Sequence, residues 1–345
     1  MRAGVFIASM LAAGAVALST AAPPADATNS MDAKSSGDAK PKDAGAAAGK
    51  AAAPAAPPTL AWAEILEREP DPKVVADPEL RARLVATGLP WRVRDKSSGI
   101  EMLLVPPGKF IMGMSPGDTE ALETEHLFTE KYPEYRYSEH PAHAVTISKP
   151  FYLGRCEVTQ EQWMRVMNKN PSAFRTSPPE GSDPVAAKLT GPAAMPVEQV
   201  SWHDCRKFCE LTGLRMPTEA QWEYACRAGS ETPRYGELDQ IAWSSENAAE
   251  MTHAVAQKQP NALGFHDMIG NVWEWCSDWY EGGYYTACSG GVVDPEGPAS
   301  SPNRGRVLRG GSWDNRSTGC RASMRRYFLP TIAVNFVGFR AARNP

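Results

Sequence analysis

The chain is poor in long apolar runs and in histidine, and it carries no block of one-signed charge; each shortage removes a class of function. No stretch reaches the roughly 20 apolar residues of a membrane-spanning helix. The longest, Val5 to Leu18, falls short, and nothing like it follows. The 36 lysines and arginines are mixed with 40 aspartates and glutamates. No basic stripe is left to follow a phosphate backbone, which makes nucleic acid a poor partner. The six histidines (His126, His140, His143, His203, His253, His266) form no metal-binding pair on a helix face. His-Glu-x-x-His, Gly-x-Ser-x-Gly and a glycine-rich phosphate loop are absent, and no internal repeat recurs at a fixed period. The first cysteine is Cys156, so no cysteine stands near the N-terminus to carry a lipid.

What is present begins with a leader. Arg2, the apolar stretch and Ala25-Asp26-Ala27 have the layout of a secretory signal peptide over residues 1–27. The expectation is an exported, periplasmic or extracellular protein with no membrane span in the mature chain; an uncleaved signal serving as an anchor stays open. Residues 28–58 are dominated by Ala, Pro, Lys, Asp and Gly, too poor in large apolar side chains to offset the entropy of folding, and read as a disordered linker. Residues 59–96, divided by Pro70, Pro72, Pro78 and Pro90, read as a helical N-terminal arm on a main domain at 97–345. Export permits disulfides among the seven cysteines; the odd count leaves one thiol over, and the spacing does not fix the pairing.

Within the main domain, Met102–Val105 and Phe110–Met112 flank Pro106-Pro107-Gly108 and read as a hairpin, with further strands at Val145–Ile147 and Phe151–Leu153. Three helix starts carry capping boxes: Thr159 with Gln162, Ser201 with Asp204, and Thr218 with Gln221. The second helix places Cys205, Phe208, Cys209 and Thr212 on one buried face, and the third stops at Gly229. Cys205 and Cys209 lack the companions of a zinc site and read as core residues, one of them tied to a distant cysteine. Beyond Gly229 periodicity fades, and bound cations, disulfides or large aromatic anchors are needed to order so much irregular chain. Trp273, Trp275, Trp279 and Trp313 read as such anchors rather than as a sugar-stacking surface.

A series of motifs then appears in order: Gly108-Lys109-Phe110-Ile111-Met112-Gly113, Glu157-Val158-Thr159, Pro196-Val197 before Val200-Ser201-Trp202, and Arg215-Met216-Pro217-Thr218-Glu219-Ala220-Gln221-Trp222-Glu223-Tyr224-Ala225. Gly270-Asn271-Val272-Trp273-Glu274-Trp275, Arg309-Gly310-Gly311-Ser312-Trp313 and Gly338-Phe339-Arg340 complete it. From about residue 99 to 343 the chain resembles the formylglycine-generating enzymes, the sulfatase-modifying factors. The resemblance implies an α+β variant of the C-type lectin fold with short strands, a few helices and much irregular structure. It also implies a structural calcium site at Asn271, Val272 and Glu274, and a second near Asn247 and Ala248. Oxygen donors of this kind suit Ca²⁺; local capping by Asn271 and Glu274 is the alternative.

One departure bears on function. The family oxidises a substrate cysteine with Cu(I) held by a Cys-x4-Cys pair after the Arg-Gly-Gly-Ser motif, and soft sulfur donors suit that ion. The matching positions here are Asn315 and Cys320; Ser312 matches the active-site serine, and Gly319 stands where a tyrosine is expected. Copper is therefore not expected. Cys320 is either a reactive thiol favoured by Arg316 or Arg321, or a structural cysteine in a disulfide, the second being preferred. If the protein is an enzyme, Cys320 and Ser312 are its catalytic candidates, modifying a cysteine or small thiol. The favoured reading is a binding or accessory module whose segment Trp313 to Phe336 meets another exported protein or a small ligand, with Asn315, Arg316, Arg321 and Arg325 as contacts.

Overall fold

The computed structural model describes residues 60–124, 137–175 and 194–345. The expected leader and linker lie outside them. No helix among the described residues is long and apolar enough to cross a membrane.

An antiparallel sheet of five strands forms the floor, in the order β1 (Ala63–Glu67), β2 (Arg92–Asp95), β3 (Glu101–Val105), β6 (Phe151–Gly154) and β12 (Ala342–Arg343). Its centre is apolar: Met102, Leu103, Leu104, Val105, Phe151 and Leu153 are all buried, with Leu103 opposite Leu153. Two further sheets carry β4 (Gly108–Met112), β5 (His143–Ile147) and β8 (Val292–Val293), and β10 (Arg325–Phe328), β9 (Arg306–Arg309), β7 (Trp273–Trp279) and β11 (Val337–Gly338), each in that order.

Two expectations are corrected. Residues 59–96 are not a helical arm: only α1 (Pro78–Ala86) is helical, while β1 and β2 extend the main sheet. The overlooked signal is charge alternation, since Arg92 pairs with Glu67 at 2.7 Å and Glu101 at 2.6 Å, and Arg94 with Glu101 at 2.8 Å, on one sheet face. Nor do β3 and β4 form a hairpin. Both edges of β3 are taken by β2 and β6, so the chain leaving Val105 turns at Pro106-Pro107 and β4 pairs with β5 in another sheet.

After α2 (Pro116–Thr124), the three capped helices are α3 (Gln160–Met167), α4 (Trp202–Thr212) and α5 (Glu219–Arg227). All three capping boxes are present as expected, each hydroxyl accepting from the third residue's N–H while that side chain returns to the cap's own N–H. α3 and α4 lock together where Trp163 stacks on Phe208 with ring centroids 5.4 Å apart and meets Phe339 edge-on. α5 ends at Ala228, whose φ of 47° is left-handed, and Gly229 follows in the same region.

The irregular chain beyond Gly229 is not held by disulfides. All seven cysteines are free thiols, six of them buried, which corrects the expected bridges of Cys205 or Cys209 and of Cys320. Buried ion pairs hold it instead. Arg309 joins Glu223, Arg325 joins Glu219 at 2.6 Å, and Arg340 joins Glu274 at 2.8 Å. Each links a strand or strand end of the C-terminal region to an element before it or beside it. Burial alone would raise the Glu219 carboxyl, but Arg325 and Arg309 outweigh it and hold that carboxyl below its usual range. The tryptophans contribute as anchors: Trp273 and Trp275 are fully buried, and the indole N–H of Trp275 donates to the Val200 carbonyl at 3.0 Å.

Candidate functional site

The segment from Gly310 to Cys320 follows β9. Gly310 and Gly311 have φ of 94° and 82°, and a Cβ on Gly311 would lie 2.7 Å from the Gly319 carbonyl. That close return folds the segment back on itself and sets Ser312, Asn315 and Cys320 side by side.

Asn315 organises this corner. Its Oδ1 accepts from the Ser312 hydroxyl at 2.8 Å and from the Trp273 indole N–H at 2.8 Å, and its backbone carbonyl accepts from the Ser245 N–H at 2.9 Å. Its Nδ2 donors find no acceptor among the described residues. A Cβ on Gly319 would meet the Asn315 side chain at 3.1 Å, so the amide fills space that a larger residue at 319 would need. The two departures from the family pattern therefore fit one another.

Cys320 is fully buried, its sulfur 4.0 Å from the Ser312 carbonyl and 3.9 Å from that of Asn315. Burial pushes its thiol up to about 12, against the smaller opposing pull of Arg234 and Arg321. Desolvation outweighs the nearby guanidinium charges. Arg234 instead donates to the Cys320 carbonyl at 3.0 Å and the Ser317 carbonyl at 3.0 Å, fixing the turn. A Cu(I) ion here would find one sulfur donor, and the donor set does not fit it.

The arginines divide. Arg321 and Arg325 are buried, not surface contacts: Arg321 grips Glu139, and Arg325 clamps Glu219 through two bonds of 2.6 and 2.9 Å. A guanidinium removed from water needs a carboxylate, and these two already have theirs. Arg316 is exposed. Arg326 is half-buried under aromatic rings, 4.9 Å from the Phe328 centroid and 5.9 Å from that of Trp273. It makes no ion pair among the described residues. Trp313 lies beside this corner, with Phe174 edge-on at 5.3 Å and its N–H bonded to the Asn335 carbonyl at 3.1 Å.

The expected calcium donors are engaged elsewhere. Both Glu274 oxygens accept from Arg340, and one of them also from the Trp222 indole at 2.7 Å. Asn271 Oδ1 accepts from the His253 N–H at 2.9 Å and its Nδ2 donates to Glu157 at 2.8 Å, so Asn271, Val272 and Glu274 as arranged do not fit a cation. Asn247 Oδ1 accepts from the Ser244 N–H at 2.8 Å, and the Ala248 carbonyl meets His253 at 2.9 Å, which uses the donors of the second set. No group of three His, Cys, Asp or Glu side chains among the described residues is placed to hold a metal.

The fold defines an α+β domain of the C-type-lectin-like kind, with Ser312, Asn315 and Cys320 brought together at one corner. The chain belongs to the sulfatase-modifying factor family: the model of the sulfatase-modifying factor enzyme 1-like domain matches residues 91–345. It is similar to the formylglycine-generating enzyme of Streptomyces coelicolor, 36% identical over 186 residues that cover 48% of this chain and 57% of that protein. It is also similar to the serine/threonine-protein kinase pkn1 of Chlamydia pneumoniae, at 31% identity over 71% of this chain and 38% of that one. The chain thus spans less than two thirds of either. Among solved structures, variable protein 1 of Treponema denticola superposes with a TM-score of 0.56 at 28% identity, covering 71% of this chain and 95% of the other.

Proposed function

We propose that this domain is a binding or accessory module that does not generate formylglycine, acting on another exported protein or ligand through the surface from Trp313 to Phe336. The observation that carries the reading is the Asn315 side chain, which occupies a thiolate position and takes hydrogen bonds from Ser312 and Trp273. The remaining sulfur, Cys320, is buried, and burial pushes its thiol up to about 12. What the corner offers outward is a set of recognition groups: the Asn315 amide donors, the exposed Arg316, and Arg326 framed by Phe328 and Phe336. An unpaired guanidinium against aromatic rings suits an acidic or polar partner. The kinase and the enzyme among the relatives carry different names on a shared domain, as expected when function resides in a site rather than a fold. Export remains part of this proposal and rests on the leader pattern of residues 1–27.

The test is incubation of the full chain with Cu(I), oxygen and a Cys-x-Pro-x-Arg peptide, read by mass spectrometry. The expected outcome is an unmodified cysteine. Aldehyde formation that disappears in Cys320→Ser would establish the oxidoreductase alternative and overturn the proposal.

A further inference from the structure

A groove of about 850 Å³ lies along α4 and the segment that joins it to α5, and it shares no residue with the Trp313–Phe336 surface. Its floor is apolar, with Phe151, Trp202, Leu214 and Met216 each at most 7% exposed. The charges around it are not matched as they are elsewhere. Arg227, Arg309, Arg321, Arg325 and Arg340 each hold a carboxylate within 3.2 Å or less. Arg215, on the groove wall, bonds only neutral acceptors: Gln221 Oε1 at 2.8 Å, Asn344 Oδ1 at 2.8 Å and the Met216 carbonyl at 3.2 Å. Arg306, half-buried beside the groove, has no ion pair among the described residues either. It lies between the rings of Trp202 and Trp279 at 4.0 and 3.5 Å, donates to the carbonyl of the groove residue Ser277 at 2.6 Å, and leaves its buried Nε without an acceptor.

Basicity follows the same division. Burial lowers Arg215 from its usual value and takes Arg306 down to about 10, while the carboxylates beside Arg309, Arg325 and Arg340 raise theirs. The acidic residues on the groove do not restore the balance. Glu210 is engaged by Arg206 at 3.0 Å, and Asp294 accepts from the backbone N–H of Ser148 at 2.8 Å and from its hydroxyl. Glu296 and the buried Asp278 are near enough to Arg215 to favour its charge, and Asp278 does the same for Arg306, but neither acid forms an ion pair with these arginines. A desolvated guanidinium without a carboxylate is a binding opportunity for an anion, and the apolar floor selects what the anion is attached to.

We propose that this groove binds an organic carboxylate with an apolar or aromatic body, the carboxylate on Arg215 with the exposed Lys149 at the mouth, and the body on Trp202 and Phe151. The charge of Arg306 behind the Trp202 indole reinforces the anion preference. The ligand can be a small acid or the free C-terminal carboxylate of a peptide, since both present the same group.

Titration calorimetry of the full chain with 4-phenylbutyrate and with the peptide Ala-Ala-Phe distinguishes these sources by which binds more tightly. The neutral amide of each is expected to bind at least tenfold more weakly than its acid. Arg215→Met is expected to lose at least tenfold in affinity for the acid. Lys149→Glu, at an exposed side chain that the fold does not depend on, should lose several-fold. Acid and amide binding alike, or no acid binding at millimolar concentration, overturns the proposal. If Arg215→Met fails to fold, Lys149→Glu decides: unchanged affinity for both acids overturns it as well.

Discussion

The described residues of 151–229 and residues 230–345 are held in place by different means. The first region is built on β6 and on α3, α4 and α5, each helix started by a capping box and packed through a face that its own sequence displays. The second carries short strands joined by long irregular stretches and depends on Arg309, Arg325 and Arg340, whose partners Glu223, Glu219 and Glu274 lie 86, 106 and 66 residues away along the chain. Local chemistry suffices for one; the other is specified by pairs that only the folded state brings together. Arginine is suited to that task because its planar fork can bond a carboxylate twice and still reach backbone carbonyls. Arg340 shows it, bonding Glu274 together with the Gly154 and His266 carbonyls at 2.8 and 2.9 Å.

The sharpest way to break this comparison is to remove one long-range pair. Arg325→Met leaves the Glu219 carboxylate buried without its main partner, and such losses cost about 3–5 kcal/mol. The expected outcome is a large fall in denaturant midpoint. Adding Glu219→Gln should recover part of the loss, because the stranded charge is then gone. A single mutant of wild-type stability would show that the pair does not order the second region.

That division also explains what was legible. The capping boxes and the buried face of α4 are written within a few residues, and the structure has them as the sequence implies. The ordered motifs identified the family and, with it, the fold. The fate of Arg321 and Arg325 was not legible. Their positions in an irregular segment suggest a surface cluster, and nothing local announces that Glu139 and Glu219 lie beside them. The arm at 59–96 failed for a related reason, because β1 becomes a strand only by pairing with β2. The Asn315 corner was half legible: sequence showed the missing thiol, but not that Trp273 and Ser312 would spend their donors on the replacement.

The first region also holds a buried carboxylate with no ion pair among the described residues. Glu198 is fully buried, accepts from the Phe174 N–H at 2.8 Å through one oxygen, and leaves the other without a partner. Burial raises it to about 7, with the Phe174 and Ala173 N–H groups and Arg175 opposing. Because the folded state holds this proton more tightly than the unfolded chain, its stabilising effect is complete below the unfolded value near 4.5 and is lost as pH rises through 7. Glu198→Gln should flatten the decline in melting temperature between pH 5 and pH 8, a difference on the order of 2 kcal/mol at the alkaline end. Parallel pH profiles for wild type and variant would remove Glu198 as the source. The same bond holds Phe174 against Trp313, so the tryptophan environment should follow the same pH dependence.

The smallest expected effect belongs to the first region and gives the comparison its scale. Thr218 starts α5: its hydroxyl accepts from the Gln221 N–H at 3.2 Å, and Gln221 Oε1 accepts in return from the Thr218 N–H at 3.2 Å. Thr218→Ala removes the first of these bonds and leaves the second, since the Gln221 side chain is also held by Arg215 at 2.8 Å. Loss of such a cap costs about 1 kcal/mol. The exposed first-turn N–H can turn to water, and eight of the nine residues of α5 are buried, so packing keeps the helix in place after its cap is lost. The melting temperature should therefore fall by about 2–4 °C, the shift typical of that energy in a domain of this size. Wild-type Glu219, one residue further on, keeps its clamp on Arg325 in this variant, so the second region should unfold together with the first. A Thr218→Ala loss as large as that of Arg325→Met would mean that the cap positions Glu219 for its distant partner, and the local and long-range devices would then be one.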